Sequence, residues 1–170
     1  MKTILSLTAI LIFSLTTCIA QTWNSTSSVD YFGNTNTTYS DSYGRKVATS
    51  TTTTDYFGNV NTTYYNSSGS KIGNSTSSVD YFGNTNTTAY DSSGSRIGTS
   101  SGSTDYFDNY NVNYYDSTGG PTGQSSSSVD YFDTVNTIYT NSSGQTIGRS
   151  TGSYDYFGNF NTTTTSNTWN

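Results

Sequence analysis

The stretch NSTSSVDYFGNTNTT spans residues 24–38 and recurs, letter for letter, at 74–88. Its central DYF triplet begins at Asp30, Asp55, Asp80, Asp105, Asp130 and Asp155, and every step is 25 residues. Low-complexity tracts change length freely, whereas a structural repeat cannot. Six units spaced without an insertion or deletion therefore define one repeat domain, expected over 21–170.

Each unit carries two turn signals. DYFG at 30–33, 55–58, 80–83 and 155–158 alternates with DSSG-like quartets at 41–44, 66–69, 91–94, 116–119 and 141–144. An Asp or Asn at the first position accepts a hydrogen bond from the backbone two residues on. Glycine at the fourth supplies the left-handed conformation through which a type I turn feeds a hairpin. Asp108 and Asp133 replace that glycine in two units. Aspartate tolerates the left-handed region, which favours a turn over a ligand cradle.

Between the turns, segments such as NTNTTAY at 84–90 are rich in Thr and Tyr and lack helix formers, so they read as strands. Ile72 and Val79 are an odd number of residues apart, which in a regular strand puts them on opposite faces. A bulge near Gly73, or a bend in the strand, reconciles them. Which face is inside stays open. Two turns per unit at opposite ends of short strands predict an all-β, up-and-down meander of about twelve strands. Residues 21–29 are positioned to pair with 159–166, closing a barrel, with Trp23 and Trp169 as a terminal clasp. The structural alternative is a parallel β-solenoid, or an amyloid-like fibre in which DYF stacks above DYF.

The YDSSGSRIG turn at 90–98, set in hairpin units arranged head to tail, resembles the β-flower proteins, small radial barrels whose hairpins spread like petals. The resemblance covers nearly all of 21–170 and implies a fold but no biochemical activity. The suggested kinship of that family with Tubby-like barrels implies contact with lipid. YYNSSGSKIG at 64–73, followed by DYFGN at 80–84, is also similar to YD repeats of the Rhs type. Those build large shells from many copies, which six units are too few to enclose, so this likeness is read as convergent turn chemistry.

The chain opens with one lysine and an apolar run from Ile4 to about Leu15, the layout of a secretory signal peptide over 1–20. Lipidation at Cys18 is the alternative, because Leu15-Thr16-Thr17-Cys18 forms a loose lipobox. Either route predicts a secreted or cell-surface protein. Beyond residue 20 there is no Cys, His or Glu, and eleven aspartates face five bases. This acidic balance argues against nucleic acid or an anionic membrane as partner. Sequons begin at Asn24, Asn36, Asn61, Asn66, Asn74, Asn86, Asn141 and Asn161, and matter only where the producer glycosylates.

Thiol and histidine chemistry are excluded by composition. Paired aspartates could serve a glycosidase, but each occupies a repeated turn position and no unit stands out. No motif names a substrate, and neither enzyme activity nor a cofactor is expected. The calcium patterns of β-rolls and EF-hands are absent, which leaves the Asp-lined turns as a weaker calcium candidate.

DYFG itself places Tyr and Phe at a hairpin tip, where the opposite turn has Ser-Ser. An up-and-down order gathers the aromatic tips at one edge and the polar tips at the other. Two readings follow. In the first, Phe32, Phe57, Phe82, Phe107, Phe132 and Phe157 converge to plug one barrel mouth and are more buried than the Ser-Ser residues. Individually solvated phenylalanines would sink that plug and the argument from aromatic and polar poles, and favour disorder or a stacked fibre. In the second, Tyr31, Tyr56, Tyr81, Tyr106, Tyr131 and Tyr156 share one partly exposed face and form a multivalent binding edge for a carbohydrate or lipid interface. A secreted structural or fibre-forming matrix protein is the alternative function, and self-association fits either.

Overall fold

The computed structural model describes residues 22–167. The expected signal peptide, Cys18 and Trp169 lie outside those residues. Twelve strands follow in chain order. They are β1 (Thr22–Val29), β2 (Thr35–Asp41), β3 (Lys46–Thr54), β4 (Val60–Asn66), β5 (Lys71–Val79) and β6 (Thr85–Asp91). The second half holds β7 (Arg96–Thr104), β8 (Tyr110–Asp116), β9 (Pro121–Val129), β10 (Val135–Asn141), β11 (Thr146–Tyr154) and β12 (Phe160–Ser166). Each strand pairs antiparallel with its neighbours in the chain, and β1 pairs with β12 to close a barrel. Thr22 faces Thr165 and Ser27 faces Phe160 across that seam, as the end segments predict. Antiparallel pairing throughout excludes the coil of a parallel solenoid.

The strands are tilted. A line of directly paired residues starts at Ser27, near the Tyr-Phe tips, and runs through Thr37, Ser50, Tyr64 and Gly73 to Asp91 at the opposite end. Such a climb is the stagger that closure of a sheet demands. Between Tyr64 and Tyr65 the register with β5 shifts, leaving Ile72 over as a bulge beside Gly73. The same shift recurs in β3, β7, β9 and β11. A Cβ on Gly73 or Gly98 would stand 2.6 Å from the backbone oxygen of Tyr90 or Tyr115, so glycine gives the closest approach there, while β3 makes the same bulge with Ala48 at that position.

The interior is mostly hydroxyl. Thr37, Thr62, Ser75, Ser77, Thr87 and Ser125 are buried, and the buried apolar residues are Tyr39, Tyr64, Ala89, Val112 and Phe160. Burying a hydroxyl costs free energy unless it is hydrogen-bonded, and the repeats supply partners for most of these, Ser75 Oγ being the exception among the described residues. Thr52 meets Thr62, Ser77 meets Thr87 and Ser127 meets Thr137, each at 2.9 Å. One layer on, the hydroxyls of Tyr39, Tyr114 and Tyr139 reach Ser50, Ser125 and Ser150. Burial pushes the Tyr64 and Tyr114 hydroxyls well above the usual tyrosine range, so they stay protonated donors. Where the hydroxyl ladder is interrupted, size compensates. Gly102 lies under the Tyr110 ring and Gly152 under the Phe160 ring, so the aromatic fills the space that Ser occupies in other units. Outward positions are also polar, with Thr51, Thr76 and Thr163 donating to Asn36, Asn61 and Asn24.

Candidate functional site: the aromatic crown

Each DYF tip is a type I turn followed by a left-handed residue. In the first unit the Gly33 N–H donates to the Asp30 carbonyl at 3.0 Å, and the Asp30 N–H donates to the Asn34 carbonyl at 2.9 Å. Gly33 has φ +82°, and Asp108 and Asp133 take the same conformation at φ +62° and +59°. The expected substitution of aspartate for glycine is thus met.

The Asp30 side chain braces the tip. Its Oδ1 accepts from the Phe32 and Asn34 backbone N–H groups at 2.9 Å each. Its Oδ2 accepts from the side-chain amides of Asn34 and Asn36 at 3.1 and 3.2 Å. The clamp recurs at Asp80, Asp105 and Asp155 with their own asparagine pairs. At Asp80 the Asn84 side-chain amide, then the Asn84 backbone N–H, hold the carboxyl below its ordinary value, so it is ionised at neutral pH. Asparagine four and six residues after Asp belongs to the motif; its recurrence every 25 residues was the available signal, and attention to Asp and Gly alone passes over it.

The closed up-and-down order places all six DYF tips at one end of the barrel. There, Tyr31, Tyr56, Tyr81, Tyr106, Tyr131 and Tyr156 are 95–98 % exposed, more than the partial exposure expected. The six phenylalanines are not the predicted plug. They are 80–85 % exposed, and the Ser-Ser tips are exposed as well. The physical reason lies in the turn. Tyr and Phe occupy its two central positions, beyond the last Asp-to-Asn backbone pair, so nothing of the barrel lies above them to pack against. The mouth beneath is already occupied by residues such as Thr85 and Phe160. The expectation that solvated rings would also undo the aromatic and polar poles, and favour disorder or a stacked fibre, is corrected: strand order, not ring burial, gathers the tips at one end of a closed barrel. Instead each Tyr packs on the Phe of its own turn, edge to face, with centroids 5.5–5.7 Å apart. Val29, Val79 and Val129, just below the tips, are also more than half exposed and widen the apolar crown.

Charge is segregated between the two ends. The crown holds the six DYF aspartates together with Asp108 and Asp133. Arg45, Lys46, Lys71 and Arg96 sit at the other end, at the starts of the odd strands, and Arg149 lies in the same half of β11. That end also carries Asp41, Asp91 and Asp116. Asp41 forms an ion pair with Arg45 at 2.7 Å, and the Arg45 guanidinium lies 5.4 Å from the Tyr43 ring centre. No protein-family model matches the chain, and no curated protein matches it in sequence.

Proposed function

We propose that this is an exported, non-enzymatic binding module of the β-flower kind, which docks end-on through its aromatic crown on a carbohydrate or lipid surface. The single observation that carries this reading is the full exposure of six preorganised Tyr-Phe pairs at one end of a closed barrel. Soluble monomers seldom leave so many large aromatics together in water. The aspartate clamps hold each pair in place before binding, which lowers the entropy lost on docking. Six weak contacts on one rigid ring act together, giving avidity without a deep pocket. The outer wall is mostly polar, with Ile138 and Tyr154 as isolated exposed apolar residues, so the crown is the surface better suited to an apolar or sugar interface. Export rests on the apolar run from Ile4 to Leu15. The non-enzymatic reading rests on aspartates that each either brace a turn or fill its glycine position.

The test replaces the six tip tyrosines by serine, the residue of the opposite turns. Binding is compared on polysaccharide arrays and on neutral liposomes, with circular dichroism as the check of fold. Stepwise loss of binding as tyrosines are removed, with the barrel intact, is the expected outcome. Retained binding would show that the crown is not the docking surface.

A further inference from the structure

The two ends of the barrel are crowns with the same strand spacing and opposite chemistry. One presents aromatic rings above a ring of carboxylates. The other presents mostly Ser and Gly tips, with Tyr43 and the turn residues Asp41, Asp91 and Asp116 among them, from which Arg45, Lys46, Lys71 and Arg96 project, all exposed. We propose that copies of this protein stack head to tail, the acidic aromatic crown of one copy seated on the cationic end of the next. The inference rests on the reading of the crown as a docking surface and names a second copy as an occupant.

Three observations converge on it. The crown carries eight aspartates, while the other end sets its bases among Asp41, Asp91 and Asp116, so the approach of unlike ends is favoured over that of two crowns. The aromatic faces suit the arriving cations, and the molecule already displays that contact where Arg45 lies over the Tyr43 ring. The sheet has no free edge, because β1 pairs with β12, so strand addition offers no competing route to assembly. Since the two docking surfaces differ, the contact is heterologous and does not close on a dimer. It leaves a free crown at one end of any stack and a free cationic end at the other.

Sedimentation velocity of the purified protein over a range of concentrations tests this. The expected result is a mass that climbs past the dimer as concentration rises and falls back toward monomer in about 0.5 M salt, where screening shortens the reach of surface charge to under half its length at 0.1 M. Two variants then separate the ends. One carries the six tyrosine-to-serine changes; the other carries Arg45→Glu, Lys46→Glu, Lys71→Glu and Arg96→Glu. Each alone is expected to remain monomeric, and an equal mixture to form a dimer and stop, because only one pair of intact ends remains. A parent monomeric at every concentration and salt overturns stacking, as does association of the charge-reversed variant at the parent's level. The parent's own concentration and salt dependence decides the matter even where a multiple variant fails to fold. Charge reversal leaves the crown untouched. If that variant still binds polysaccharide or liposomes while the parent never stacks, stacking fails alone; stacking without surface binding overturns the surface reading alone.

Discussion

Gly83 has φ +83° and nothing within 4 Å of where a Cβ would lie, while Gly73 has ordinary φ but meets the Tyr90 carbonyl oxygen. The two glycines therefore serve for different reasons, and the second is replaced by Ala48 in the β3 bulge. Gly83→Ala is expected to cost about 1–2 kcal/mol from left-handed strain alone. Gly73→Ala is expected to cost about 1 kcal/mol through overpacking against backbone, a strain that the barrel already accommodates at Ala48 in β3. Urea titrations of both, with Asp108→Gly as a variant that keeps the turn, measure the difference; equal and negligible costs would show that the glycines are incidental. The first kind of glycine was legible, since DYFG and DSSG name their turns. The second was partly so, because a bulge near Gly73 follows from the parity of Ile72 and Val79. The phenylalanines were misread in the plug reading. Apolar character argues for burial, but a turn's central positions offer nowhere to bury.

At the level of the hairpin, the clamp works with either side chain. Asn66 Oδ1 accepts from the Ser68 N–H, the Ser68 hydroxyl and the Ser70 N–H, and Asp91 Oδ1 accepts from the equivalent three groups. The difference is acid sensitivity. At Asp91 the Ser93 hydroxyl, then the Ser95 N–H, hold the carboxyl below its ordinary value near 3.8. A folded-state value lower than the unfolded one means that the unfolded chain binds more protons in acid. Stability from these clamps is thus fully present above about pH 4–5 and is lost as pH falls through the folded values. The melting temperature is expected to drop on acidification below pH ~4, and to drop less when Asp91 and Asp116 are replaced by Asn. An unchanged acid profile in that variant would show that the clamps do not set it. Which strand face turns inward was not legible, and the reason is physical. Both faces are Ser, Thr and Asn, so hydrophobic contrast, the usual signal of register, is absent. The paired exchanges of Gly102 with Tyr110 and of Gly152 with Phe160 hold the missing information.

For the whole molecule, closure was legible because the first and last segments complement each other, whereas the exposure of the crown was not, because exposure depends on what lies above a tip. The closed ring has a consequence for how the chain reaches its native state. Every strand pairing but one joins neighbours in sequence, so the hairpins need only short loops to form. The exception, β1 with β12, brings together groups as distant as Asn24 and Thr163, 139 residues apart. Loop-closure entropy opposes that contact alone, and folding rate falls with such separation. In stopped-flow refolding, Thr163→Ala is expected to accelerate unfolding with little effect on the folding rate, the mark of an interaction made after the barrier. A hairpin change such as Thr87→Ala is expected to slow folding instead. The reverse pattern would place the seam in the folding nucleus. On this expectation the barrel is a ladder of fast local steps that ends in one late act of joining. The seam is then the part of the wall that opens first, and the rest of the meander stays assembled when it does.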